Sequence, residues 1–140
     1  MEMEVLLMFN EDSIKGILCS IARPELTIYR NDKKHIGYEI RIRVSIRADN
    51  EEFLNLVKNG LEELNINCKG KSSESRVRPK PILWVSGIVN VVRVCELISD
   101  IPASKKGWDN FREAANMIYR GEHTSQEGFD EILRLKGEIQ

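Results

Sequence analysis

The sequence predicts an α+β fold, with one four-stranded antiparallel sheet carrying its helices on one face and leaving the other open. Three observations carry that prediction. Apolar and polar residues alternate without a break from Tyr38 to Arg47, the period of a half-buried strand. Phe53, Val57, Leu61 and Leu64 recur at the period of a helix. The elements run helix, strand, strand, helix, strand, strand, helix and two more helices, so the first eight follow an α-β-β-α-β-β-α-α order, with two hairpins separated by helices. A chain of 140 residues suits a single domain, 1–140.

In chain order, Asp12 and Ser13 are suited to cap a helix over about 13–22 that Pro24 stops. Leu26 to Tyr29 alternates as a strand, and Asn31 to Lys34 reads as a turn. In "GYEIRIRVSIR", Tyr38, Ile40, Ile42, Val44 and Ile46 share one face, and Glu39, Arg41, Arg43, Ser45 and Arg47 share the other. Asp49 or Asn50 caps the next helix, which is expected to break at Gly60, a position costing about 1 kcal/mol relative to alanine. Ile66 to Lys71 reads as a short strand, "GKSSESRVRPKP" as a mobile loop, and "ILWVSG" as the fourth strand. A helix follows through Val91, Val94, Leu97 and Ile98, ended by Pro102. Another runs from about Gly107 through Trp108, Phe111, Ala115 and Ile118 and closes at Gly121. Thr124 to Glu127 forms a capping box for the last helix, with Phe129, Ile132, Leu133 and Lys136 on one side.

Charge is distributed unevenly. Arg23 to Arg47 holds seven basic and three acidic residues, and Lys69 to Lys80 holds five basic and one acidic. Each window carries +4, so with a net charge of −1 the remainder carries −9. Two basic segments in a neutral chain suit a polyanion on one face, although solvated loops have the same composition. Cys19, Cys68 and Cys95 are isolated and odd in number, which argues against a disulfide framework or zinc site. His35 and His123 are far apart in sequence without metal-ligand spacing, and read as surface or local structural residues. No apolar run reaches the ~20 residues of a membrane span, and Val5 to Phe9 is too short for a signal-peptide core, so a cytoplasmic location with no membrane partner is expected.

The strand "GYEIRIRVSIRADNEEFLNLVK", the segment "WVSG" before an apolar helix, and the tail "IYRGEHTSQEGFDEILRL" together resemble the LAGLIDADG homing-endonuclease family over nearly the whole chain. Ile14, Lys15, Gly16, Ile17, Leu18, Cys19, Ser20, Ile21 and Ala22 occupy the nine positions of the family motif, a helix that packs on a second copy of itself. The resemblance implies an open sheet face that lies on DNA. One motif copy implies a homodimer through Gly16, Ile17 and Ser20, with small residues one turn apart letting two backbones approach.

The motif's eighth position is acidic in the family and helps to hold a divalent metal. Here it is Ile21, and the sixth position is Cys19. Isoleucine offers Mg²⁺ no oxygen. The catalytic candidates are therefore Glu25, beyond Pro24, and Lys105 and Lys106, which match a lysine near the family's active centre. The expectation is a duplex-DNA-binding homodimer without metal or other cofactor that does not cut. Its candidate contacts are Thr27, Tyr29, Arg41, Arg43, Arg47, Asn67, Lys69, Arg76, Arg78, Lys80, Trp84 and Ser86. The alternatives are an active endonuclease using Glu25 and Mg²⁺, an RNA-binding or splicing helper, and a module whose open face binds an acidic protein.

Overall fold

The computed structural model describes residues 7–101, 107–137 and 139. Helix α1 (Glu11–Ser20) leads into strands β1 (Arg23–Arg30) and β2 (Tyr38–Arg47), then α2 (Glu51–Glu63), β3 (Lys69–Lys71) and β4 (Ile82–Ser86). Helices α3 (Ile88–Leu97), α4 (Trp108–Tyr119) and α5 (Gln126–Lys136) complete the chain, with a 3₁₀ turn at Glu122–Thr124. The four strands form one sheet in the order β1-β2-β4-β3, antiparallel at every pairing.

The period-two reading of β2 holds in the packing. Ile42, Val44 and Ile46 are buried in one core cluster with Leu26, Leu83 and Val85 and with the apolar stripes of the helices. Ile14 and Leu18 of α1, Val57 and Leu61 of α2, and Trp108, Phe111 and Ile132 of α4 and α5 fill that cluster. The helices thus cover the even-numbered face of β2 and leave its odd-numbered face outward.

Several local expectations are corrected. The cap of α1 is Asn10, whose Oδ1 accepts from the Ser13 N–H at 2.8 Å, so the helix starts at Glu11 rather than near Ile14. It ends at Ser20, and Pro24 lies inside β1, an edge strand where a missing N–H is tolerated. Helix α2 runs unbroken through Gly60. A Cβ there would stand 2.7 Å from the Phe9 carbonyl oxygen and 2.8 Å from Ile14 Cδ1, so glycine lets the segment before α1 pack on α2. Strand β3 is only three residues long, because Ile66 and Cys68 turn into the core and the Asn67 N–H goes to Asn90 Oδ1. Gly121 does close α4, in the left-handed conformation at φ 77°. The α5 cap is Ser125, accepting from the Gly128 N–H, so Thr124 and Glu127 form no capping box. Leu133 faces out and Leu135 takes its place in the core. Pro102 lies outside the described residues.

Candidate nucleic-acid interface

Strand register places the outward side chains. Arg43 lies opposite Glu25 and Ser86, Arg41 opposite Thr27, and Ser45 opposite Arg23 and Trp84. Trp84 lies opposite Lys69, and Ile82 lies opposite Arg47 and Lys71. Thr27, Tyr29, Arg41, Arg43, Arg47, Lys69, Trp84 and Ser86 therefore share the outward face, as read from the alternation. Asn67 stands ahead of β3 and is not in the ladder. With the loop 72–81 the face holds nine basic residues (Arg23, Arg41, Arg43, Arg47, Lys69, Lys71, Arg76, Arg78 and Lys80) against Glu25, Glu39 and Glu74. That is +6 on a chain whose net charge is −1, a one-sided field suited to a polyanion.

The arginines on β2 have unlike surroundings. The Arg41 guanidinium lies 4.6 Å from the centroid of the Tyr29 ring and stays in solvent, with the Glu39 carboxylate no nearer than 3.9 Å. Arg43 donates through Nε to Glu25 Oε2 at 2.6 Å, and its two terminal nitrogens make no hydrogen bond to the described residues. Arg47 is enclosed. Its Nε and Nη2 donate to the two oxygens of Glu74 at 2.8 and 2.9 Å. Its Nη1 donates to Ser45 Oγ at 2.9 Å and Glu25 Oε1 at 3.2 Å. The Ser45 hydroxyl, fully buried, donates to Glu25 at 2.7 Å. Burial alone would raise the Glu25 pKa, but the bonds from Ser45 and Arg43 and the charges of Arg43 and Arg47 hold it below the usual carboxylate range. Glu74 is held low chiefly by its bond from Arg47.

The loop 72–81 carries hydrogen bonds of its own. Glu74 N–H donates to the Lys80 carbonyl, Ser75 N–H to the Arg78 carbonyl, and Arg78 N–H to Ser75 Oγ, at 2.9, 2.9 and 3.0 Å. Lys80 also pairs with Asp49 at 2.7 Å. The tip between Ser75 and Arg78 presents Arg76 and Val77 outward, Val77 being 89% exposed.

Helix α1 turns a strip of small residues outward. Ser13, Gly16 and Ser20 are exposed, Ile17 is half-buried, and a Cβ on Gly16 would meet nothing within 4 Å. The Ser20 hydroxyl donates to the Gly16 carbonyl at 2.7 Å, which removes a polar demand from that strip. Ile21, just past the helix end, is exposed.

No protein-family model matches the chain, and no curated protein matches it in sequence. Its fold is similar to that of the homing endonuclease I-TnaI, 19% identical, with a TM-score of 0.76 over 92% of this chain and 86% of that one. It is similar also to the archaeal intron-encoded homing endonuclease I-Vdi141I complexed with DNA, 22% identical, TM-score 0.77, covering 92% and 80%. The I-LtrWI LAGLIDADG homing endonuclease bound to target DNA is 15% identical, TM-score 0.79, covering 99% of this chain but 47% of its own.

The chain has the LAGLIDADG homing-endonuclease fold. It spans most of I-TnaI and I-Vdi141I and a little under half of I-LtrWI.

Ile21 and Cys19 stand at the acidic motif positions, and Ile21 contributes only hydrocarbon. Glu25 is on the sheet face, committed to Ser45, Arg43 and Arg47. Among the described residues no three His, Cys, Asp or Glu side chains stand close enough together to hold a metal ion. Lys105 and Lys106 lie outside the described residues. Among those residues no helix is long and apolar enough to cross a membrane.

Two groups escaped the sequence reading. Glu74, in a stretch that reads as loop, is the main partner of Arg47, and no periodicity signals it. His35 and His123, distant in sequence, line one small cavity with Lys34 and Tyr38 where the β1–β2 turn meets the 3₁₀ turn.

Proposed function

We propose that this protein binds duplex DNA along the open sheet face, as a twofold dimer through α1, without cutting it. The observation that carries the reading is the register. It lines up Arg41, Arg43, Lys69, Thr27, Tyr29 and Trp84 on the one sheet face that no helix covers. Arginines spaced along an antiparallel ribbon reach both phosphates and the guanine edge in a major groove. I-Vdi141I complexed with DNA and I-LtrWI bound to target DNA share this fold, which supports DNA as the ligand.

Dimerisation is supported by the open space around Gly16. Gly16→Leu would overpack that contact, at a cost of about 1–3 kcal/mol. The absence of cutting is supported by Ile21 and by the engagement of Glu25 in arginine pairs.

The test is a mobility shift with a randomised duplex pool. Six phosphate contacts across a dimer would cost about a thousandfold in affinity between 50 and 200 mM salt. Light scattering should give twice the chain mass of 16.1 kDa, and plasmid with Mg²⁺ should stay uncut. A monomer at high concentration would remove the dimer. Binding indifferent to salt and to the Arg41→Ala, Arg43→Ala double change would remove this face. Nicking that Glu25→Gln abolishes would overturn the non-cutting reading.

A further inference from the structure

The Glu74–Arg47 pair has no role in the proposal above, yet it has the most complete geometry on the face. The fork of Arg47 is filled along one edge by both Glu74 oxygens, and its Nη1 is shared between Ser45 and Glu25. A phosphate presents two oxygens in the same geometry as that carboxylate. Glu74 is therefore an internal stand-in for a phosphate, tethered to the loop whose Arg76 and Arg78 face outward.

We propose that Glu74 is a specificity-determining residue. Its carboxylate withholds Arg47 from the backbone of non-cognate duplex and pins the 72–81 loop to the sheet. This rests on the DNA-binding reading and deepens it. A duplex in an arbitrary register holds this face mainly by phosphate contacts, and each free arginine strengthens that hold. In the seated register Arg47 lies in the strand network over the groove, and discrimination comes from Arg41 and Arg43. An intramolecular carboxylate competes with any incoming phosphate at high effective concentration. It therefore weakens wrong complexes more than the right one, which is how discrimination is gained by penalising alternatives.

The test is Glu74→Gln, read in two ways. First, without DNA, trypsin should cut after Arg76 several-fold faster than in wild type, because the loop has lost its anchor. Second, in mobility shifts, random-sequence duplex should bind about eightfold tighter at 0.1 M salt, the value of one further phosphate contact at about 0.9 in slope. The salt slope should steepen by that amount. A duplex selected from the randomised pool should gain less than about twofold, so its advantage over random sequence falls. Equal gains for both duplexes, or an unchanged slope, would overturn the proposal even if the loop loosened. If neither wild type nor variant binds any duplex, the DNA reading fails and the proposal with it. The tryptic rate then reports only whether Glu74 anchors the loop.

Discussion

Two halves of one sheet face carry the same residue types and do different work. At the hairpin end, Arg41 lies over Tyr29 with its charge in water. Six residues further along the same strand, Arg47 has a buried serine beside it and a carboxylate on each side. The loop 72–81 makes the difference. It brings Glu74 down onto β2, and Ile82, opposite Arg47 in the register, is almost fully buried although it belongs to the outward face. An arginine on an exposed strand is free to meet a ligand when nothing covers it. Once covered, it must be paired, because an unpaired buried charge is costly. The halves should therefore respond oppositely to mutation, stability on one side and binding on the other.

The largest expected effect breaks the covered half. Glu25→Ala leaves the buried Ser45 hydroxyl without its acceptor and removes one counter-charge from both Arg43 and Arg47. Orphaned buried donors of this kind cost about 2–3 kcal/mol. Urea unfolding should show a lower midpoint at unchanged slope. Arg41→Ala at the other end should cost no more than about 1 kcal/mol. Equal losses at both ends would mean that covering by the loop has no energetic content.

How much of this was legible follows the range of the interactions. The alternation in Tyr38–Arg47 reports a local geometry, and it placed every side chain of β2 on its observed face. Helical stripes such as Val57 and Leu61 were readable for the same reason. The pairing of Arg47 with Glu74 spans 27 positions and depends on how a loop folds back, which no period encodes. Gly60 was misread because its effect comes from Phe9 and Ile14, not from its own helix. At α1 the resemblance puts Ile21 where an acid is expected. It does not show that Glu25 is already taken.

The next effect sharpens the contrast in binding. Arg41→Ala should lose about 1–3 kcal/mol of affinity for a selected duplex if the guanidinium reaches a base edge, relaxing preference at one position. If it meets phosphate, all sequences weaken alike and the salt slope falls by about one unit. Mobility shifts at two salt concentrations separate these. A loss at Arg47→Ala larger than at Arg41→Ala would contradict the division of the face.

A smaller effect is the response to acid. Glu25 and Glu74 both titrate below the usual carboxylate range in the folded protein. The unfolded chain therefore binds protons first as pH falls. Their stabilisation is complete above about pH 4.3, the ordinary glutamate value, and is lost as pH drops below it through the lowered folded values. Unfolding midpoints from pH 7 to pH 3 should fall in that window, and Glu25→Gln should flatten the fall. An unchanged acid limb in that variant would place the titrating groups elsewhere.

The smallest effect concerns how firmly Arg41 is held. Its guanidinium lies over the face of Tyr29 at 4.6 Å, while the Glu39 carboxylate is at 3.9 Å and both members of that pair meet solvent. Such an exposed ion pair contributes little, so the ring is the main restraint. Tyr29→Leu keeps an apolar side chain of similar reach and removes the ring's negative face. A double-mutant cycle with Arg41→Ala should return a coupling of about 0.5–1 kcal/mol, the range for exposed cation–π contacts. Because the ring carries no net charge, the coupling should change little between 50 and 500 mM salt, whereas an ion pair with Glu39 would fade as screening grows. Zero coupling would leave Arg41 unrestrained, and any base preference it carries would then come from the DNA complex alone rather than from a guanidinium already positioned on the sheet.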